Sequence, residues 1–276
     1  MSEKTFLITG VSSGLGLALA RAALEAGHRV IGTVRQPAAL RTFEALSPGR
    51  AHGVMLDVGQ ADLVAPVLDD AINRLGPVDV LVNNAGYGHE GLFEESPLEH
   101  MRQQFEVNLF GAAAVMQALV PHFRRQRGGH ILNITSMGGT ITMPGVSYYC
   151  ASKFALEGLT AALRQELAPF NVHVTAVAPG SFRTDWAGRS MQRSARSIAD
   201  YDSLFDPIRA ARQAKSGKQL GDPAKAAQAI LHIIEAPEPP AQILLGSDAL
   251  DLVREHLHQR LAEIDQWQAL TRSTDG

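Results

Sequence analysis

Thr5-Phe6-Leu7-Ile8-Thr9-Gly10-Val11-Ser12-Ser13-Gly14-Leu15-Gly16 runs from a short apolar strand through a glycine-rich turn into an amphipathic helix. Glycines there permit positive φ and let a ligand approach the backbone closely. The helix that starts at Leu15 turns free amides and the positive end of its dipole toward the turn, which suits a pyrophosphate. Ser12 and Ser13 add hydroxyl donors. Glycines alone say little, but a glycine turn between the first strand and the first helix is a specific sign of dinucleotide binding. The spacing is Gly-x-x-x-Gly-x-Gly, not the commoner Gly-x-Gly-x-x-Gly.

Working outward, apolar runs rich in β-branched residues recur at Arg29–Thr33, Gly53–Leu56, Val78–Val82, His130–Ile134, Val172–Val177 and Gln242–Leu245. Runs without polar alternation suit strands covered on both faces, as in a parallel sheet. Between them Leu15–Ala26, Ala61–Leu75, Pro97–Phe123 and Tyr148–Leu167 carry apolar residues at helical spacing. The alternation predicts an α/β fold: one doubly wound, Rossmann-type domain over 1–276, with about seven parallel strands and helices on both faces. The stretch from Phe182 to Lys218 has weak periodicity and holds Phe182, Trp186, Tyr201 and Phe205. Such a long irregular insertion predicts a substrate lid over 185–218. Leu250, Leu252, Val253, Leu257, Leu261, Ile264 and Leu270 predict a last helix, within 246–270, packed onto the body.

The 276 residues are 45% hydrophobic and 19% charged, the balance of an ordinary globular protein. A net charge of −3, with Arg124, Arg125 and Arg127 clustered at an expected helix end, argues against nucleic acid as partner. One cysteine, Cys150, excludes an internal disulfide framework, and no Cys or His cluster suggests a metal. No run approaches a membrane span, and the N-terminus has no signal-peptide core. The expectation is a soluble, cytoplasmic protein.

Tyr149-Cys150-Ala151-Ser152-Lys153 opens a strong helix, so Tyr149 and Lys153 share a face one turn apart. A phenol titrates near ~10, and lowering it to about 7 takes roughly 4 kcal/mol of preferential phenolate stabilisation. A close ammonium in a partly dry cleft, with an oxidised nicotinamide beside it, is of that size. Tyr148 is turned about 100° away and should face elsewhere. Ser136 follows the fifth strand, thirteen residues before Tyr149. Val34 and Arg35 end the second strand, where an acidic residue would hold a ribose diol. An apolar residue followed by a guanidinium suits a 2′-phosphate instead, hence NADP(H) preferred, with NAD(H) possible. For His89 two readings stand open, a solvated loop residue or a substrate contact.

These motifs together resemble the short-chain dehydrogenase/reductase family over residues 5–184. Leu245-Gly246-Ser247-Asp248-Ala249 and the terminal helix resemble its 17β-hydroxysteroid and retinol dehydrogenase branch. The resemblance implies hydride transfer between the cofactor and a carbonyl/alcohol substrate, with Tyr149 as acid and base, Ser136 on the reacting oxygen, Lys153 on the cofactor ribose and Asn108 completing a proton relay. It implies that Gly10, Ser12, Ser13, Gly14, Leu15 and Gly16 hold the pyrophosphate. Asp57 and Val58 would hold adenine. Asn84, Ala85 and Gly86 would pass along the ribose, while Asn83 supports the sheet. Pro179, Gly180, Phe182 and Thr184 would fix the nicotinamide. Tyr87, Met143, Val146, Phe182 and Trp186 would build an apolar pocket for a lipophilic carbonyl compound. Family members pair through the helices after the fourth and fifth strands, which implies a homodimer or homotetramer. The alternative is a non-catalytic NADP(H)-binding sensor on the same fold.

Overall fold

Phe6, Leu7 and Ile8 are each fully buried, but on opposite sides of one sheet: Phe6 and Ile8 join one apolar layer, Leu7 the other. A strand covered on both faces needs apolar residues at every position, which is why the run shows no polar alternation. The computed structural model describes residues 2–276; Met1 lies outside them. Seven strands form the parallel sheet: β1 (Thr5–Ile8), β2 (Arg29–Val34), β3 (Ala51–Met55), β4 (Val80–Asn83), β6 (Gly129–Ile134), β7 (Val172–Pro179) and β9 (Gln242–Leu245). Their order is β3-β2-β1-β4-β6-β7-β9. The chain leaves β1 in one direction and returns in the other beyond β4, which opens a crevice at the carboxyl ends of those two strands.

One face is covered by α1 (Gly14–Glu25) and α8 (Pro223–Glu235), through Leu19, Ala23, Ala227 and Ile230. The other is covered by α3 (Ala61–Leu75), α5 (Ala112–Gln126) and α6 (Ser147–Leu167), through Val64, Leu68, Val115, Leu119 and Leu167. Each such Val, Leu or Ile side chain, fully buried, contributes about 1.5–3 kcal/mol. All seven expected strands and the sheet's parallel sense are present.

Four features differ from expectation. A short helix, α2 (Pro37–Glu44), starts at a proline and buries only Phe43. The helix expected over Pro97–Phe123 is instead α4 (Leu98–Phe105), a π-helical turn at Glu106–Gly111, and α5. Segment 185–218 is not irregular: it holds β8 (Met191–Arg193) and α7 (Asp202–Ala214), and β8 pairs in parallel with β5 (Gly88–Glu90). Phe205 of α7 is buried against Gly145, whose φ is +76°. Finally, α9 (Ser247–Gln266) and α10 (Gln268–Arg272) do not pack along the body. Only Ala249 and Val253 are buried, and residues 257–276 are all exposed. No helix among the described residues is long and apolar enough to cross a membrane.

Candidate active site

The glycine turn sits at the mouth of the crevice. Gly10 and Gly14 have φ of +75° and +60°, which only glycine adopts without strain. The turn is tied to its neighbours: the Gly10 amide donates to Thr33 Oγ1 (3.1 Å), and Thr9 Oγ1 accepts from the amides of Asn84 and Ala85, both at 3.0 Å. Asn84, expected beside a ribose, instead spends its side-chain amide on the carbonyls of Thr9 (2.9 Å) and Gly10 (3.0 Å). Its backbone, with Ala85 and Gly86, follows the carboxyl end of β4. A Cβ on Gly16 would lie 2.4 Å from the Gly10 carbonyl oxygen, so glycine is required there by close approach. Ser13 precedes the first turn of α1 and caps no amide with its side chain. Those amides have no acceptor within the helix, and with the dipole they fit a diphosphate.

The remaining expected cofactor positions lie at or after the carboxyl ends of β2, β3 and β7. Arg35, just after β2, is exposed. Asp57 Oδ1 accepts from the Gly59 amide at 3.1 Å, and Val58 is buried. Thr184 faces the turn, since a Cβ on Gly14 would sit 3.6 Å from Thr184 Cβ. Its hydroxyl accepts from the Trp186 amide at 3.3 Å. The Gly180 amide donates to Leu245 O (2.8 Å) and the Ser181 amide to Asp248 Oδ2 (2.8 Å), so the Pro179-Gly180 segment is held by the start of α9. Sequence reasoning missed that tie, because sixty-seven residues separate its partners. Phe182 does not reach the pocket. Its ring packs beside Gly221 and joins the α1–α8 layer.

Helix α6 carries Tyr149 and Lys153 into the interior, 7% and 6% exposed. Lys153 Nζ lies 6.0 Å from the centre of the Tyr149 ring and donates to the Ile134 carbonyl at 2.7 Å. Burial lowers the Lys153 ammonium to about 8, opposed by the Glu157 carboxylate. Burial also pushes the Tyr149 phenol well above its ordinary range, against a hydrogen bond with Ser136 that favours ionisation. The sequence led us to expect a phenol made acidic by Lys153. That expectation counted an oxidised nicotinamide beside the pair; the protein's own groups leave desolvation as the largest effect on the phenol. Ser136 Oγ accepts from the Gly138 amide at 2.9 Å, which fixes its position at the end of β6. Tyr148 faces away, as expected: its hydroxyl donates to Ser96 O at 2.8 Å.

Asn108 lies in the π-helical turn. Such turns add a residue to a helix and redirect a side chain, often at functional sites. Its Oδ1 accepts from the Tyr87 amide (3.1 Å), and its Nδ2 donates to Tyr87 O (3.0 Å) and Ser152 Oγ (3.2 Å). A Cβ on Gly86 would stand 3.1 Å from Asn108 Oδ1 and 3.8 Å from Lys153 Nζ, so three separate motifs converge at one point. Met143, Val146 and Trp186 pack with Tyr149 and Cys150 as a small apolar cluster. His89 is not a solvated loop residue. It is a buried residue of β5, stacked on Tyr148 and bonded to Ser194 Oγ at 3.0 Å, and burial, then His100, lowers it to about 4.

A glycine turn at the switch point of a doubly wound sheet, with a buried Tyr–Lys pair across the crevice, defines a class: oxidoreductases built on this scaffold. The short chain dehydrogenase family model matches residues 4–195. The Botryotinia fuckeliana oxidoreductase BOA17 is 35% identical over 97% of this chain and 98% of its own. Human retinol dehydrogenase 8 is 33% identical over 87% of this chain and 80% of its own. A Streptomyces avermitilis short-chain dehydrogenase structure superposes with TM-score 0.92 at 40% identity, covering both chains fully. A Burkholderia phymatum short-chain dehydrogenase/reductase, solved with NAD, superposes with TM-score 0.81 at 26% identity over 94% of this chain and 95% of its own. The chain belongs to the short-chain dehydrogenase/reductase family and is an oxidoreductase acting on CH–OH groups.

Proposed function

We propose that this chain is an NADP(H)-dependent reductase of an apolar ketone, working through Tyr149 as general acid and, in reverse, as general base. The observation that carries the proposal is the convergence of Tyr149, Ser136 and Lys153 beside the glycine turn at the carboxyl ends of the strands. When bound, the nicotinamide supplies or accepts hydride at the reacting carbon.

Tyr149 gives its proton to the oxygen on which negative charge develops, and Ser136 holds that oxygen. Donors aimed at charge as it appears lower the barrier more than they stabilise the ground state. The elevated phenol suits this direction, because burial keeps the proton in place until the alkoxide claims it. Lys153 sits one turn along α6, and Asn108, which donates to the Tyr87 carbonyl, stands with it beside Gly86. The amides of Gly14, Leu15 and Gly16 with Ser12 and Ser13 hold the diphosphate, and Arg35 pairs with a 2′-phosphate. Asp57 and Val58 border the adenine, and Pro179, Gly180, Phe182 and Thr184 the nicotinamide, Phe182 through its backbone. The apolar cluster of Met143, Val146 and Trp186 beside Tyr149 favours a lipophilic substrate, and retinol dehydrogenase 8 among the relatives supports that reading. Segment 185–218 acts as the lid. Phe110 and Phe154, half-exposed on the helical faces after β4 and β6, support a homodimer or homotetramer built there.

Tyr149→Phe tests the assignment. Removing one oxygen leaves the packing intact, and we expect unchanged NADPH binding with kcat down by about 10²–10⁴. Retained turnover would overturn the proposal, and a variant with all its biological function intact would mark a sensor.

A further inference from the structure

We propose that the exposed face of α9 is a self-association surface on which a second copy of this chain docks antiparallel. Helix α9 leaves the body after Val253, its last buried residue, and continues into solvent. At 100° per residue, Leu250, Val253, Leu257, Leu261 and Ile264 fall within an arc of about 80°. The stripe that seats Val253 on the body therefore continues past its edge with nothing against it. Leu257 is 48% exposed and Leu261 and Ile264 are each 59% exposed. A folded chain seldom presents a contiguous apolar stripe of this length unless something covers it.

The charges flanking the stripe select the occupant. Arg254 and Asp265 lie along one flank, Arg260 and Glu263 along the other. In an antiparallel pair each flank meets its own counterpart, with Leu257 level with Ile264 of the second copy and Leu261 near the two-fold axis. That register sets Arg254 against Asp265 of the second copy, and Arg260 against Glu263 of the second copy. A parallel pair in register would set each flank against the opposite one, bringing Asp265 nearly level with Glu263 of the second copy, like against like, and leaving Arg254 with no acid at its height. An anionic membrane is disfavoured as occupant, since residues 247–276 carry six carboxylates against three arginines. The surface is separate from the α5 and α6 faces, so the two together would build a tetramer from dimers.

Light scattering coupled to size exclusion tests this on the full chain. Leu257→Glu with Leu261→Glu should halve the molar mass of the wild-type assembly, with circular dichroism and melting temperature kept; an unchanged mass overturns the proposal. Arg254→Glu should weaken association, and adding Asp265→Arg should restore it; failure of that rescue overturns the register. Under mild oxidation Leu261→Cys should form a linked dimer and Leu250→Cys should not; linkage at 250 alone overturns the antiparallel sense. Co-flotation of wild-type protein with phosphatidylcholine vesicles, lost in the double variant, would replace the second copy with a lipid surface and overturn the proposal.

Discussion

The Trp186 indole lies against the Tyr149 phenol, ring centres 5.0 Å apart and planes tilted by 59°. Trp186 also sits over Gly88, where an added Cβ would be 3.0 Å from its Cζ2. On the proposed mechanism, the indole fills space that a substrate carbonyl would share with Tyr149. Trp186→Ala is expected to raise kcat/KM for the bulkiest of a series of apolar ketones by about tenfold relative to the smallest, the range that pocket shape commands. An unchanged ratio across the series would show that Trp186 sets no size limit.

Lys153 costs the fold stability. Its ammonium is lowered from 10.5 to about 8 by burial. A lysine whose folded value lies below its unfolded one resists charging in the fold. The cost is therefore full below about pH 8, shrinks as pH rises toward 10.5, and then vanishes. It is on the order of 3 kcal/mol. Lys153→Met should melt several degrees above wild type at pH 7, converge with it above about pH 10.5, and be inactive. Equal melting temperatures at pH 7 would show that contacts with Lys153 offset its burial.

Glu90 ties β8 and α7 to β5. Its carboxylate is buried at the end of β5 and meets Arg212 Nη1 at 2.8 Å, Arg193 Nε at 3.2 Å and Arg209 Nε at 3.4 Å. Breaking one side of a buried pair costs several kcal/mol, less here because the arginines stay 16–24% exposed. Glu90→Gln should cost about 1–3 kcal/mol and speed amide hydrogen exchange across 202–214. Exchange confined to other segments would remove Glu90 from that role.

On the proposed reading, cofactor choice turns on Arg35. A charge-assisted hydrogen bond to a 2′-phosphate contributes about 1.5–3 kcal/mol, so Arg35→Asp should lower the NADPH-to-NADH ratio of kcat/KM by at least tenfold. A ratio that stays the same would place 2′-phosphate recognition elsewhere.

Much of the scaffold was legible because it rests on local rules. Phe6-Leu7-Ile8 declares a strand covered on both faces, and Tyr149 with Lys153 declares one helix face. Other features were not legible. Nothing local in Asn108 announces a π-helical turn, and Asp202–Ala214, although amphipathic, carries Pro207 within it and has its anchor at Gly145, some sixty residues earlier. His89 looked like a loop residue because the strand pairing that buries it comes from Gln192, far along the chain.

By itself, the sequence determined the order and type of the main elements, the seven-stranded sheet and the placing of the glycine turn, because strand and helix periods and backbone freedom are properties of neighbouring residues. Only the tertiary structure decided that Lys153 donates to Ile134, that Trp186 lies against Tyr149, and that α9 leaves the body after Val253. Those outcomes depend on how much water is removed and which distant surfaces meet, and neither quantity is set until the chain has closed on itself.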